Sequence, residues 1–233
     1  MIKLGIIGAM EQEVETLLAQ MEQKTAEMVA GSTFYEGKLS GLDVVVVQCG
    51  IGKVNAALCA QILCTKYGIT HAVNTGIAGS LRAELDIGDL VVSRDAMYHD
   101  FDCAHFGYPY GKVPGMDVVS FPADETMIKL AFDAANSVHP GHVTVGRVAS
   151  GDQFVAEQAL KDRIISNTQA ICTEMEGAAI AQTAYRNGIP FVILRAISDK
   201  ADNSAEMDYP TFEKQAAYRC AAVTMALAAV LNT

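Results

Sequence analysis

The stretch Lys3-Leu-Gly-Ile-Ile-Gly8-Ala-Met10-Glu-Gln-Glu13-Val14-Glu-Thr-Leu17-Leu18-Ala-Gln-Met21 sets the architecture. Lys3 to Gly8 is an apolar run of strand length, and Met10, Val14, Leu17, Leu18 and Met21 then recur at helical spacing. A strand leading directly into a helix is the opening of an α/β unit. The alternation continues outward from it. A hairpin-like pair, Thr33 to Leu39 and Asp43 to Cys49, precedes a helix from Lys53 to Tyr67. His71 to Thr75, Asp89 to Ser93 and His142 to Ser150 read as further strands, and Glu125 to Ser137 as a helix. Glu176 to Asn187 is the next helix, before the strand Phe191 to Ser198. A last helix runs from about Tyr209, with Phe212, Ala216, Val223, Leu227, Val230 and Leu231 at helical spacing.

Strands bounded by helices on both sides imply a covered, mostly parallel sheet, and the early hairpin makes it mixed. The expected fold is therefore an α/β three-layer α/β/α sandwich around a mixed, mostly parallel central sheet. With no linker-like composition and no internal repeat, residues 1–233 are expected to form a single domain. The one long irregular stretch, about Tyr98 to Phe121, contains aromatics and histidine and so reads as functional.

Composition excludes several classes. A formal net charge of -10, without a basic cluster, repels a phosphate backbone and an anionic membrane, so neither nucleic acid nor membrane is an expected partner. No window approaches the length of a spanning helix, and the N-terminus enters a strand instead of presenting a signal peptide. The 6 cysteines form no CxxC pair and lie within apolar runs, which fits a reducing cytoplasm.

In open α/β sheets, ligands collect beyond the carboxyl ends of strands. The corresponding segments are Gly8 to Glu13, Gly50-Ile51-Gly52-Lys53, Thr75 to Ser80, Ser150 to Phe154, and Ser198-Asp199. Gly50-x-Gly52 lacks the third glycine of a dinucleotide fingerprint, and GxxxxGK[ST] is absent, so neither phosphate cradle is indicated. Glu13 falls at the border of the first helix's buried face, with Glu11 on the opposite border. First-turn carboxylates also serve as ordinary partners of a helix dipole. Glu174 and Glu176 flank Met175 just before an apolar helix; a carboxylate there suits vicinal hydroxyls, or again a helix N-terminus. Arg195 lies inside a buried-strand pattern and needs an acid, for which Glu13 and Glu176 are the candidates. Asp199, at that strand's end, is either a functional acid or a turn cap.

Taken together and in order, these segments resemble the 5'-methylthioadenosine/S-adenosylhomocysteine nucleosidases of the nucleoside phosphorylase superfamily. The match is carried by Gly5 to Glu13, Gly50 to Val54, Asn74 to Gly79, Tyr98-His-Asp100, Phe106-Gly-Tyr108, Ser150 to Phe154, Glu174-Met-Glu176 and Arg195 to Asp199. The resemblance implies hydrolysis of the bond between adenine and C1' of the ribose, with no cofactor and no metal. Methylthioadenosine, adenosylhomocysteine and 5'-deoxyadenosine are the implied substrates. Asp199, held by Ser198, would protonate adenine N7, which requires a pKa well above the reference of about 3.9. Glu13 would take the proton of the attacking water, and Arg195 would orient the carboxylates around it. Glu176 and Met175 would hold the ribose hydroxyls and the face of the sugar, Glu174 would be a further substrate-binding residue, Phe154 would stack on adenine and the Val155 backbone would read its Watson–Crick edge. Ala78 and Gly79 would line the site.

The thio end would lie against Met10, Ile51 and Tyr209, with Cys103 and Phe106 supplied by the neighbouring subunit of a homodimer. Ile77 stands where a small polar residue or an aliphatic is frequent in the family, and Tyr209 where phenylalanine is usual. The alternatives are a phosphorolytic enzyme of the same superfamily and a non-catalytic nucleoside-binding protein. The first is disfavoured because the earliest arginine is Arg82 and Glu13 repels an anion. The second has little use for three carboxylates around an uncharged sugar.

Overall fold

The first strand, β1 (Lys3–Gly8), is apolar and buried from Leu4 onward because both of its faces are covered there. It is flanked in parallel register by β4 (Leu42–Gln48) and β5 (His71–Ser80). Outside β4 lie β3 (Ser32–Leu39) and the edge strand β2 (Glu22–Val29), both antiparallel. On the other side, β5 pairs in parallel with β10 (Phe191–Asp199) and antiparallel with the short β9 (Cys172–Glu174). β6 (Leu90–Tyr98) and β8 (Val143–Ser150) complete the sheet, and β7 (Phe121–Pro122) adds to β6. The computed structural model describes residues 1–202 and 205–232.

The helices are α1 (Glu11–Gln20), α2 (Lys53–Thr65), α3 (Glu125–Val138), α4 (Gln158–Thr168), α5 (Gly177–Asn187) and α6 (Ala205–Leu231). One large core, containing Ala56, Leu63, Ala178 and Ala181, lies under α2 and α5 on one face of the sheet. A second, containing Val14, Leu17, Ala131, Cys220 and Leu227, lies under α1, α3 and α6 on the other. Each large aliphatic side chain buried there contributes about 1.5–3 kcal/mol relative to exposure. The layers are those of the expected α/β sandwich with a mixed sheet.

The sheet also curls more than expected. β10 pairs with both β5 and β6, so β5, β10, β6, β8 and β9 form a closed ring, and β10 meets β6 antiparallel. The expectation that Thr75 to Ser80 forms a loop is corrected: β5 continues through Ser80, because Thr75 to Gly79 pair with Leu194 to Asp199. β2, β9 and α4 were not anticipated. β2 is exposed at nearly every position and lacks alternation, α4 buries only Lys161, Ile164 and Thr168, and β9 is 3 residues long. All 6 cysteines are free, and no helix among the described residues is long and apolar enough to cross a membrane.

Candidate active site

The ends of β1, β5, β9 and β10, with the segments after β4 and β8 and the start of α6, enclose a cavity of about 420 Å³. Its walls include Met10, Glu13, Ile51, Ala78, Gly79, Phe154, Val155, Glu174, Met175, Glu176, Ser198, Asp199 and Tyr209, all expected from sequence. Ala9, Ile77, Gln153 and Thr173 also line it. Ile77 is a departure from the family pattern, and Ala9 and Gln153 lie within the strand-end segments Gly8 to Glu13 and Ser150 to Phe154. Thr173 adjoins Glu174 and, as a side chain without charge, carries no signal of its own in the sequence.

Glu13 occupies the third position of α1, and its carboxylate turns back over the helix start. Its Oε2 accepts from the backbone N–H groups of Ala9 at 2.6 Å and Met10 at 2.9 Å, and its Oε1 from Ile77 N–H at 3.0 Å. Helix-start capping and site placement are thus the same interaction, so the two readings of Glu13 are not alternatives. A Cβ on Gly76 would lie 2.3 Å from Glu13 Oε1, so only glycine lets the carboxylate rest against β5. Burial raises the Glu13 pKa, although the Arg195 charge and those backbone donors work against it.

Arg195 is 2% exposed and does not line the cavity. Its expected partners, Glu13 and Glu176, are corrected to Glu174: Nη2 donates to Glu174 Oε2 and to Asn74 Oδ1. Glu174 Oε2 also accepts from Gly177 N–H at 2.7 Å, and Oε1 accepts from Ser150 Oγ. With both oxygens engaged, Glu174 anchors the wall, and Arg195 acts on Glu13 and Glu176 only through its field.

Glu176 is freer. Its Oε1 accepts from Gly52 N–H at 2.8 Å, which ties the start of α5 to the turn before α2. Burial first, and then the neighbouring Glu174 charge, push its pKa to about 8. Asp199 is 3% exposed; Ser198 Oγ donates to its Oδ2 at 2.8 Å, and Ala201 N–H donates to its Oδ1 at 2.8 Å. The turn-cap reading of Asp199 is therefore realised together with its place in the cavity.

The mouth is apolar. Ile51 and Phe154 are about half exposed, Phe154 meets Tyr209 edge-on with ring centroids 5.5 Å apart, and Tyr209 OH donates to Met10 Sδ at 3.2 Å. The loops above are cross-tied: Lys53 Nζ reaches Asp100 Oδ2 at 2.6 Å, and Asp100 Oδ2 and Asp152 Oδ1 accept from Asp152 N–H and Lys53 N–H. Cys103 and Phe106 do not line the cavity of their own chain, and Phe106 is 77% exposed.

No lysine or arginine lines the cavity among the described residues. Asp89, His139 and His142 are close enough to share an ion, but they lie outside the cavity. The two imidazoles stack at 17°, so one ion cannot lie in both ring planes, and Arg219 Nη1 is 3.3 Å from His139 Nε2. This cluster is a hydrogen-bonded surface group.

Fold and site define a member of the phosphorylase superfamily, whose family model matches residues 3–230. The chain is 38% identical over 232 residues to 5'-methylthioadenosine/S-adenosylhomocysteine nucleosidase of a Geobacillus species, covering 99% of this chain and 100% of that one. It is 39% identical to the protein of the same name from Chromohalobacter salexigens, covering 100% and 99%. The Neisseria meningitidis nucleosidase in complex with methylthio-immucillin-A superposes with a TM-score of 0.95 at 36% identity, over 99% of this chain and 100% of that one. Futalosine hydrolase of Helicobacter pylori superposes with a TM-score of 0.92 at 32% identity, over 97% of each. Within the superfamily, the chain belongs to the 5'-methylthioadenosine/S-adenosylhomocysteine nucleosidases, which are N-glycosyl hydrolases.

Proposed function

We propose that this cavity hydrolyses the N-glycosidic bond of methylthioadenosine and adenosylhomocysteine, with a distinct task for each acid. Asp199, positioned by Ser198, donates a proton to adenine N7 as the bond to C1' breaks, so the base leaves neutral. Glu13 removes a proton from the water that attacks C1', a role suited to a buried carboxylate of raised pKa. Glu176 receives the ribose hydroxyls, and Met175 covers the oxocarbenium-like sugar. Phe154 stacks on the base and Val155 presents its backbone to the Watson–Crick edge. The 5' thioether rests on Met10, Ile51 and Tyr209. The same pocket accepts 5'-deoxyadenosine, whose 5' group is smaller.

The observation carrying this reading is the cavity itself: Glu13, Glu176 and Asp199 line it, and the described lining supplies no cation to hold phosphate. Water is therefore the nucleophile. The test incubates the enzyme with methylthioadenosine, adenosylhomocysteine and inosine, with and without phosphate, and follows the free base by chromatography. Adenine release independent of phosphate is expected; a strict phosphate requirement, or tight binding without turnover, would overturn the reading.

We further assign the enzyme to the cytoplasm, where its free thiols stay reduced, and to a homodimer in which Cys103 and Phe106 reach the neighbouring site. Support for the dimer comes from the exposed Phe106 and from Val54 and Leu58, which are 78% and 46% exposed on α2.

A further inference from the structure

Among the described residues, buried side-chain polar atoms without a hydrogen-bond partner belong to His99, Asp100, Thr173 and Arg195. Of these, only Thr173 lines the cavity. The residue is 5% exposed, and its Oγ1 has no partner. Its sheet neighbours are Ala149 on β8 and Gly79 on β5, neither of which has a polar side-chain atom to offer. Directly opposed residues of paired strands project to the same face. A Cβ built on Gly79 would meet Ala201 Cβ and Asp199 Oδ1, each 2.8 Å away, so Thr173 projects from the face over which Ala201 and the Asp199 carboxylate lie. A buried hydroxyl left unpaired is costly, whereas valine has nearly the same shape and no such cost. The hydroxyl is explained if the ligand supplies its partner.

We propose that Thr173 reads the purine, its hydroxyl donating to N3 on the sugar-side edge of the base. This rests on the reading of the cavity as an adenine site. There, Asp199 meets N7 and the Val155 backbone meets N1 and the 6-amino group, which leaves N3 as the unmatched ring acceptor. Thr173 runs directly into Glu174-Met175-Glu176, the wall that serves the sugar, which sets its backbone next to the sugar end of the cavity. The contact also assists departure. As the C1'–N9 bond breaks, its electron pair passes to N9 and is shared around the purine ring, and a donor at N3 stabilises that charge while Asp199 protonates N7.

The test compares wild type with Thr173→Val and Thr173→Ser, reading turnover of methylthioadenosine and competitive inhibition by adenine and by 3-deazaadenine, in which N3 is replaced by CH. For Thr173→Val, kcat/KM is expected to fall, and the adenine inhibition constant to rise, by about fivefold to tenfold, the size of one net hydrogen bond. The 3-deazaadenine constant should be the same in wild type and Thr173→Val, and Thr173→Ser should restore adenine binding. The ligand-free Tm of Thr173→Val should equal or exceed that of wild type, because an unpaired buried hydroxyl has been removed. Equal losses for adenine and 3-deazaadenine, or an unchanged adenine constant, would overturn the proposal while leaving the hydrolytic reading intact. Failure of the wild type to release adenine would overturn both.

Discussion

At the scale of single residues, the site separates acids that look alike in sequence. Glu174 and Glu176 are two positions apart, yet Glu174 has both oxygens engaged by Ser150, Gly177 and Arg195, while Glu176 takes one backbone donor from Gly52. Spacing alone indicated that Arg195 needs an acid. It did not indicate which one, because that depends on β5, which carries Asn74, lying between β9 and β10. The raised pKa of Glu176 carries a stability consequence. Its folded value of about 8 lies above the reference of 4.5, so between these values the folded protein keeps a proton that the unfolded chain releases. Stability from this group is therefore lost as pH rises through that window, and is flat on either side of it. Glu176 should make a downward contribution to the Tm of ligand-free enzyme between about pH 5 and pH 8, and Glu176→Gln should remove it, so that the variant's Tm gains on wild type as pH rises. An identical slope in wild type and Glu176→Gln would contradict the assignment.

At the scale of elements, periodicity located most of what lies under the two cores. β1, α1, β3, β4, α2, α3, α5 and β10 all fall close to their sequence-derived positions, because each has an apolar stripe or run to bury. The elements that escaped lack that signal. β2 is an exposed edge strand held by its ladder to β3, and β9 is too short to show a period. The glycine-rich continuation of β5 resembles a loop by composition and becomes a strand only because β10 pairs alongside it. The same glycines then let Glu13 and Asp199 lie against the β5 backbone. This stretch lies on the cavity wall, as its place after an apolar strand suggests, but it is strand and not turn.

At the scale of the whole molecule, the ring of β5, β10, β6, β8 and β9 brings segments from both ends of the chain into one cavity. Closure of that ring depends on long-range pairing and was not legible, whereas most of the cavity's walls were, through the resemblance of ordered motifs. The proposed dimer belongs to this scale as well. Light scattering on the purified enzyme should give twice the chain mass, and Phe106→Asp should weaken association and turnover together; a fully active monomer would contradict the shared site.

In the proposed reaction Asp199 works on the leaving base while Glu13 works on the water. Asp199→Asn should lower kcat on methylthioadenosine by about a hundredfold to ten-thousandfold, the range for loss of a general acid. On p-nitrophenyl riboside, whose leaving group departs without protonation, the same variant should retain most of its wild-type rate. Equal losses on the two substrates would contradict the assignment of Asp199 as the acid.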